Sequence, residues 1–131
     1  MIGLDTNVLV RYLAQDDQTQ SALATKLIET LDRDNQGFIS VVVLVELHWV
    51  LRRAYKLTRS DAVTLLRRLL TAEELVISES EAVHRALARS DGKIDFPDAL
   101  IVELASAAGC HHTFTFDSAA AELAGMRPVP G

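Results

Sequence analysis

The sequence holds a single cysteine, Cys110, among 131 residues. An internal disulfide is thereby excluded, and the composition fits a reducing compartment. No run reaches the roughly 18 uncharged apolar residues of a membrane span. Asp5 interrupts the opening apolar stretch too early for a secretory leader. A cytoplasmic protein with no membrane partner is the expectation. Proline and glycine number only three and six, and the one stretch dense in both is the tail, 128–131. No linker, repeat or low-complexity tract divides the chain. Positive charge is not in excess either: 13 Lys and Arg against 18 Asp and Glu leave a net charge of -5. Nucleic-acid binding by bulk electrostatics is therefore excluded, and any such role must rest on a local basic face or on bound cations.

What is present is an ordinary globular balance, 49% apolar and 24% charged. The length suits one domain, 1–131, with a real core. Short apolar runs alternate with segments of helical period. Residues 1–5 read as a short buried strand, and 6–14 as a helix with Val8, Leu9, Tyr12 and Leu13 on one face. A second helix spans about 17–32, with Leu23, Leu27 and Leu31 four apart. A strand at 38–40 leads into 41–55, apolar for most of its circumference and so expected to be buried on more than one side. Thr58 and Asp61 open a helix to about 71 in a weakened capping box. A strand at 75–77, a helix over 79–89 and a helix from Pro97 to about 108 follow, the last ended by Gly109. A strand at 113–116, a short helix at 117–124 and a fifth strand at 127–129 complete the chain. Strands separated by helices imply crossovers and a parallel sheet covered on both faces, an α/β fold. Ligands bind such sheets beyond the carboxyl ends of the strands.

Four acids stand in that region. Asp5 ends the first strand and Asp117 the fourth. Asp98 lies in the first turn of the Pro97 helix, with Asp95 just before it. Glu46 lies near the second turn of the helix after the second strand. Asp5, Asp95 and Asp117 could each be helix N-caps, with Asp98 as box partner to Asp95. Glu46 has no such explanation. A lone carboxylate inside an apolar helix costs several kcal/mol unless paired or metal-bound, and Arg11 or Arg53 is the alternative partner. Carboxylates about 5–6 Å apart repel by about 3 kcal/mol per pair at an effective dielectric of about 20. A converging cluster would therefore need a cation. Oxygen-only ligands select a hard one, Mg²⁺ or Mn²⁺, and Mg²⁺ keeps several waters.

The segments "IGLDTNVLVRYL", "FISVVVLVELHWVL", "DFPDALIVELA" and "TFTFD" occur in this order. Together they resemble the PIN-domain family, most closely the VapC-type toxins of bacterial toxin–antitoxin pairs, and the resemblance covers the whole chain. It implies a three-layer α/β/α sandwich with a short central parallel sheet. It also implies a Mg²⁺- or Mn²⁺-dependent endoribonuclease whose catalytic and metal-holding acids are Asp5, Glu46, Asp98 and Asp117. Asp98 ranks above Asp95 by the same resemblance, with Asp95 in support. Thr6, Asn7, Ser40 and Thr115 match positions that shape the site or hold its water. The implied partners are an RNA substrate, a cognate VapB-type antitoxin and a second copy in a homodimer. The apolar segments 8–13 and 41–51 are candidates for the protein contacts.

Arg11, Arg52, Arg53 and Lys56 could contact RNA phosphates, as could Arg59, Arg67 and Arg68, with a solvated or ion-paired surface as the competing use. Cys110, His111 and His112 suggest metal ligation, but adjacent side chains at a strand entrance point in opposite directions. His48 and His84 read as packing or surface residues, and Trp49 as core or interface. A stand-alone RNA-processing nuclease is the nearest alternative function. A receiver or haloacid-dehalogenase type of phosphohydrolase would need a second acid beside Asp5 and a lysine after a later strand, and neither is present. A non-catalytic binding module would keep the acids as caps only.

Overall fold

In the computed structural model, which describes residues 1–90 and 92–131, three short strands form a parallel sheet. They are β1 (Ile2–Gly3), β2 (Gly37–Ile39) and β3 (Leu75–Ile77), in that spatial order. Ile2 pairs with Gly37, and Gly37, Phe38 and Ile39 pair with Leu75, Val76 and Ile77. Parallel pairing requires long crossovers. Helices α1 (Thr6–Ala14) and α2 (Gln18–Glu29) supply the first, and α3 (Val41–Arg53) and α4 (Arg59–Thr71) the second. Helices α5 (Ser80–Arg89) and α6 (Phe96–Ala107) follow, packed on each other. The chain then runs through β4 (Phe114–Thr115), α7 (Ser118–Leu123) and β5 (Arg127–Pro128).

Polar residues at the handovers fix where the helices begin. Asp17, Ser40 and Thr58 accept backbone N–H bonds at the starts of α2, α3 and α4. Ser78, just past β3, accepts the Val41 N–H at 2.9 Å and so ties the end of β3 to the start of α3. Between the layers lies a core of Leu4, Leu9, Ile39, Leu44, Leu47, Leu66, Val83, Leu87, Phe96 and Leu100, all buried. Each such side chain contributes about 1.5–3 kcal/mol by leaving water. Gly37 sits at the middle of the sheet, where a Cβ would meet a methyl of Leu4 at 2.8 Å and of Leu31 at 2.9 Å. A bare Cα allows that approach.

Two expectations change. First, β4 and β5 form a separate parallel pair and are not hydrogen-bonded to the main sheet. The main-chain bonds of this ribbon run within it, from Arg127 N–H to Thr113 and from Val129 N–H to Thr115. At two residues apiece, β4 and β1 have little ladder to offer each other, and Ile2 and Gly3 stay exposed. Second, Glu46 is exposed. The buried stripe of α3 is Leu44, Leu47, His48 and Leu51. Glu46 lies on the other side with Val42, one turn earlier and 64% exposed. The apolar circumference that suggested a buried carboxylate includes an apolar strip facing solvent, so Glu46 incurs no burial cost.

Besides burying Ala120, Ala124 and Met126, the C-terminal segment is hydrogen-bonded to the body by an arginine. Arg89, near the end of α5, donates to Glu103 on α6 at 3.0 Å and also to the carbonyl of Ala124 just after α7. Gly125, at φ +81, makes the turn beside it, and a Cβ there would stand 3.3 Å from the guanidinium. None of the helices among the described residues is long and apolar enough to cross a membrane.

Candidate active site

Asp5 and Asp117 are placed by the same local device. Each follows a strand, caps the next helix and spends one carboxylate oxygen doing so. Asp5 Oδ1 accepts the Thr6 N–H at 2.7 Å. Asp117 Oδ1 accepts from Ala119 at 2.8 Å and Ala120 at 3.1 Å, while its own N–H donates to Thr115 Oγ1. The cap reading and the site reading are thus compatible, because Oδ2 of each has no hydrogen-bond partner among the described residues.

Asp95 occupies the N-cap position of α6 and makes no cap bond with its side chain. Its carboxylate instead accepts from Arg59 Nε at 2.5 Å, and Arg59 Nη1 donates to the Gly92 carbonyl at 3.1 Å. Asp98 follows in the first turn, half-buried behind Pro97. Burial pushes its carboxyl pKa up, the charges of Asp95 and Asp117 push it further, and Arg59 offsets part of the rise. Such a carboxylate gains from any cation that joins it.

Asp95, Asp98 and Asp117 line one cavity of about 130 Å³, together with Arg59, Lys93, Ile94 and residues of α7. The structure does not bring all four expected acids to one point. Asp5 is exposed at the start of α1, outside this cavity. Glu46 borders a different groove, between α3 and α6, which Pro97 also lines. Among the described residues no group of three or more His, Cys, Asp or Glu side chains closes to metal-holding distance.

The supporting residues divide. Thr115 orients the Asp117 backbone as described. Ser40 caps α3 through the Val43 N–H at 3.3 Å. Thr6, beside Asp5, is buried and its hydroxyl has no hydrogen-bond partner among the described residues. Asn7 lines a groove between α1 and α2. Of the expected RNA contacts, Arg11 donates to Gln20 at 2.8 Å and faces Asp16 at 3.5 Å. Arg52 donates to the Leu57 carbonyl, and Arg53 lies 4.5 Å over the Trp49 ring. Lys56 is exposed in a left-handed turn. None of these four lines the Asp98 cavity, whereas Arg59 and Lys93 do. Lys93 carried no signal in the sequence beyond its closeness to Asp95 and Asp98.

His48 is wholly buried, 4.8 Å from the Trp49 ring and 6.0 Å from Phe96 between centroids. Neither ring nitrogen has a hydrogen-bond partner among the described residues. Burial drives its pKa down to about 4 against an attractive Asp95, and Arg52, Arg59 and Arg53 lower it further. Neutral packing is its role, as the sequence suggested.

Aspartates at helix starts, in a parallel α/β fold, define a class of site suited to hard cations and to phosphates. The chain belongs to the PIN-domain family, whose model matches residues 2–126. PIN domains are generally nucleases that use divalent metals. No curated protein matches the chain.

Proposed function

We propose that this chain, acting as one domain, is a metal-dependent endoribonuclease with its reaction centre at the Asp98 cavity. The single observation that carries the reading is Asp98 itself, a half-buried carboxyl whose pKa burial and two neighbouring aspartates push up, within a PIN fold. The donor set fits Mg²⁺ or Mn²⁺: it is all oxygen. Mg²⁺ takes one or two carboxylates directly and keeps its remaining waters. Asp98 and Asp117 are the direct ligands in this reading. Asp5 and Glu46, which lie outside the cavity, would support the ion from farther away. A bound ion lowers the pKa of a water and offsets charge on the phosphoryl group.

The protein's own residues do the rest. Asp117 keeps one oxygen on the α7 cap and offers the other. Asp95 fixes Arg59, and the buried Thr6 hydroxyl is a donor for an ordered water next to Asp5. Cleavage by water leaves a 5′-phosphate and a 3′-hydroxyl and does not need the 2′-hydroxyl. The test is incubation of purified protein with total RNA and Mg²⁺ or Mn²⁺, with product ends mapped. Cuts that vanish in EDTA and in Asp98→Asn support the reading. Undiminished cutting by Asp98→Asn, or in excess EDTA, rejects it.

The toxin role extends the same proposal. Two grooves support protein partners in the cytoplasm. One, between α3 and α6, is about 290 Å³ and lined by Val41, Val42, Val45, Pro97, Leu100 and Ile101, with Glu46 its one charge. Exposed Val42 and Ile101 there suit a second copy of the chain. The other, between α1 and α2, sets Val8, Leu23 and Leu27 beside Arg11 and Gln20, and suits an amphipathic helix of an antitoxin. Equilibrium sedimentation of the wild type and Val42→Asp tests the first, since a monomeric wild type would reject the homodimer.

A further inference from the structure

We infer that Arg59 and Lys93 form a phosphate-gripping wall of the Asp98 cavity, holding an RNA phosphate next to the one that is cut. The inference rests on the nuclease reading of the same cavity. Both cations line it together with three acids, Asp95, Asp98 and Asp117. A polyanion approaching those acids meets like charge, in a protein whose net charge is already -5. Of the cations that the sequence suggested for RNA contact, Arg59 lines the cavity, whereas Arg11, Arg52, Arg53 and Lys56 do not. Arg11 is hydrogen-bonded to Gln20, Arg52 to the Leu57 carbonyl, and Arg53 is stacked on Trp49. Local positive potential at the site therefore falls to Arg59 and Lys93.

Arg59 is built for the task. A guanidinium carries five N–H donors in a rigid fork that matches phosphate oxygens. Two anchor points, Asp95 at 2.5 Å and the Gly92 carbonyl at 3.1 Å, fix the plane of this one. They engage Nε and Nη1 and leave Nη2 without a hydrogen-bond partner among the described residues. Asp95 is thus a positioning residue that acts through Arg59, which accounts for its unused place at the α6 cap. Lys93, exposed on the segment that supplies Gly92, adds a mobile point charge.

The test is binding of an unstructured oligouridylate in EDTA, measured across a salt series for wild type, Lys93→Gln, Lys93→Arg and Arg59→Gln. Each lost phosphate contact removes about 0.7 from the slope of log affinity against log salt for a single strand. Lys93→Gln should weaken binding several-fold with that loss of slope, Lys93→Arg should restore both, and a DNA strand of equal length should respond alike. In the cleavage assay KM should rise with kcat little changed. Lys93 is exposed, so its variants report even where Arg59→Gln fails to fold. Wild-type cutting with unaltered affinity and slope in Lys93→Gln overturns the wall and leaves the nuclease standing. Binding that falls in Lys93→Gln, in a wild type that cuts no RNA, keeps the wall and removes the nuclease. A wild type that binds no oligouridylate overturns the wall.

Discussion

Asp5 and Asp117 share a local frame and differ in everything around it. Both end a strand, cap a helix with Oδ1 and leave Oδ2 unbonded. The helix after Asp5 has nine residues and drives Leu9 and Val10 into the core. The helix after Asp117 has six and buries Ala120 alone. Beside Asp5, β1 joins a sheet whose strands meet the core. Beside Asp117, β4 joins only β5, and the flanking Phe114 and Phe116 are 54% and 92% exposed. Asp5 heads a helix that buries Leu9 and Val10, whereas Asp117 is set by Thr115 and its own cap bonds, on a segment whose buried side chains are Ala120, Ala124 and Met126.

The largest expected effect lies at Asp98, which shares its cavity with Asp117. Asp98→Asn should cut RNA cleavage more than about 100-fold, since even residues that only support metal ligands are worth about 10–100-fold. The fold should not suffer. The Asp98 pKa is raised in the folded protein, so its ionisation opposes folding: the stability it contributes below the ordinary Asp pKa is lost as pH rises through the raised value. Thermal melts at pH 7 should show Asp98→Asn melting at or above the wild type, with the gap closing in acid.

Stability should separate the regions next. Leu44→Ala, at a wholly buried core position, should cost about 2–5 kcal/mol in urea denaturation. Phe116→Ala should cost less than about 0.5 kcal/mol. A comparable loss at both would erase the contrast.

Acid sharpens it further. His48 titrates near 6.5 when unfolded and at about 4 when folded. The unfolded chain therefore binds a proton first as pH falls below 6.5, and stability drops until about pH 4, by about 2–3 kcal/mol. His48→Leu should flatten that limb and, by removing two unpartnered ring nitrogens, should not weaken the protein at pH 7. An unchanged acid limb in His48→Leu would place the titrating group elsewhere.

An effect smaller than that of Leu44→Ala is expected at Arg89. Arg89→Gln should cost about 1–2 kcal/mol overall, yet raise amide exchange in α7 selectively. Uniform exchange across the chain would mean that the ribbon is no looser than the body.

Element order was legible in the sequence because each element carries its own period and cap. The helix expected at 6–14 is observed there, and the strand expected at 75–77 likewise. Asp5 and Asp117 as caps were also legible, since capping is decided within a few residues. What was not legible depends on which apolar surface is left uncovered. Glu46 read as buried because Val42 and Val45 read as core, and periodicity does not distinguish a core face from a face awaiting a partner. Lys93 escaped notice because its relation to Arg59 and Asp98 exists only once α4 packs against the α6 entrance. The division of the sheet was hidden for a related reason: parallel partners are chosen by packing, and strands of two residues carry no register of their own.

Mn²⁺ binding by calorimetry to the wild type, Asp5→Asn and Asp98→Asn tests most directly whether one cation joins the two regions. The account predicts a single Mn²⁺ site in the wild type, weakened at least about 10-fold by either substitution. Affinity unchanged in both variants would contradict it.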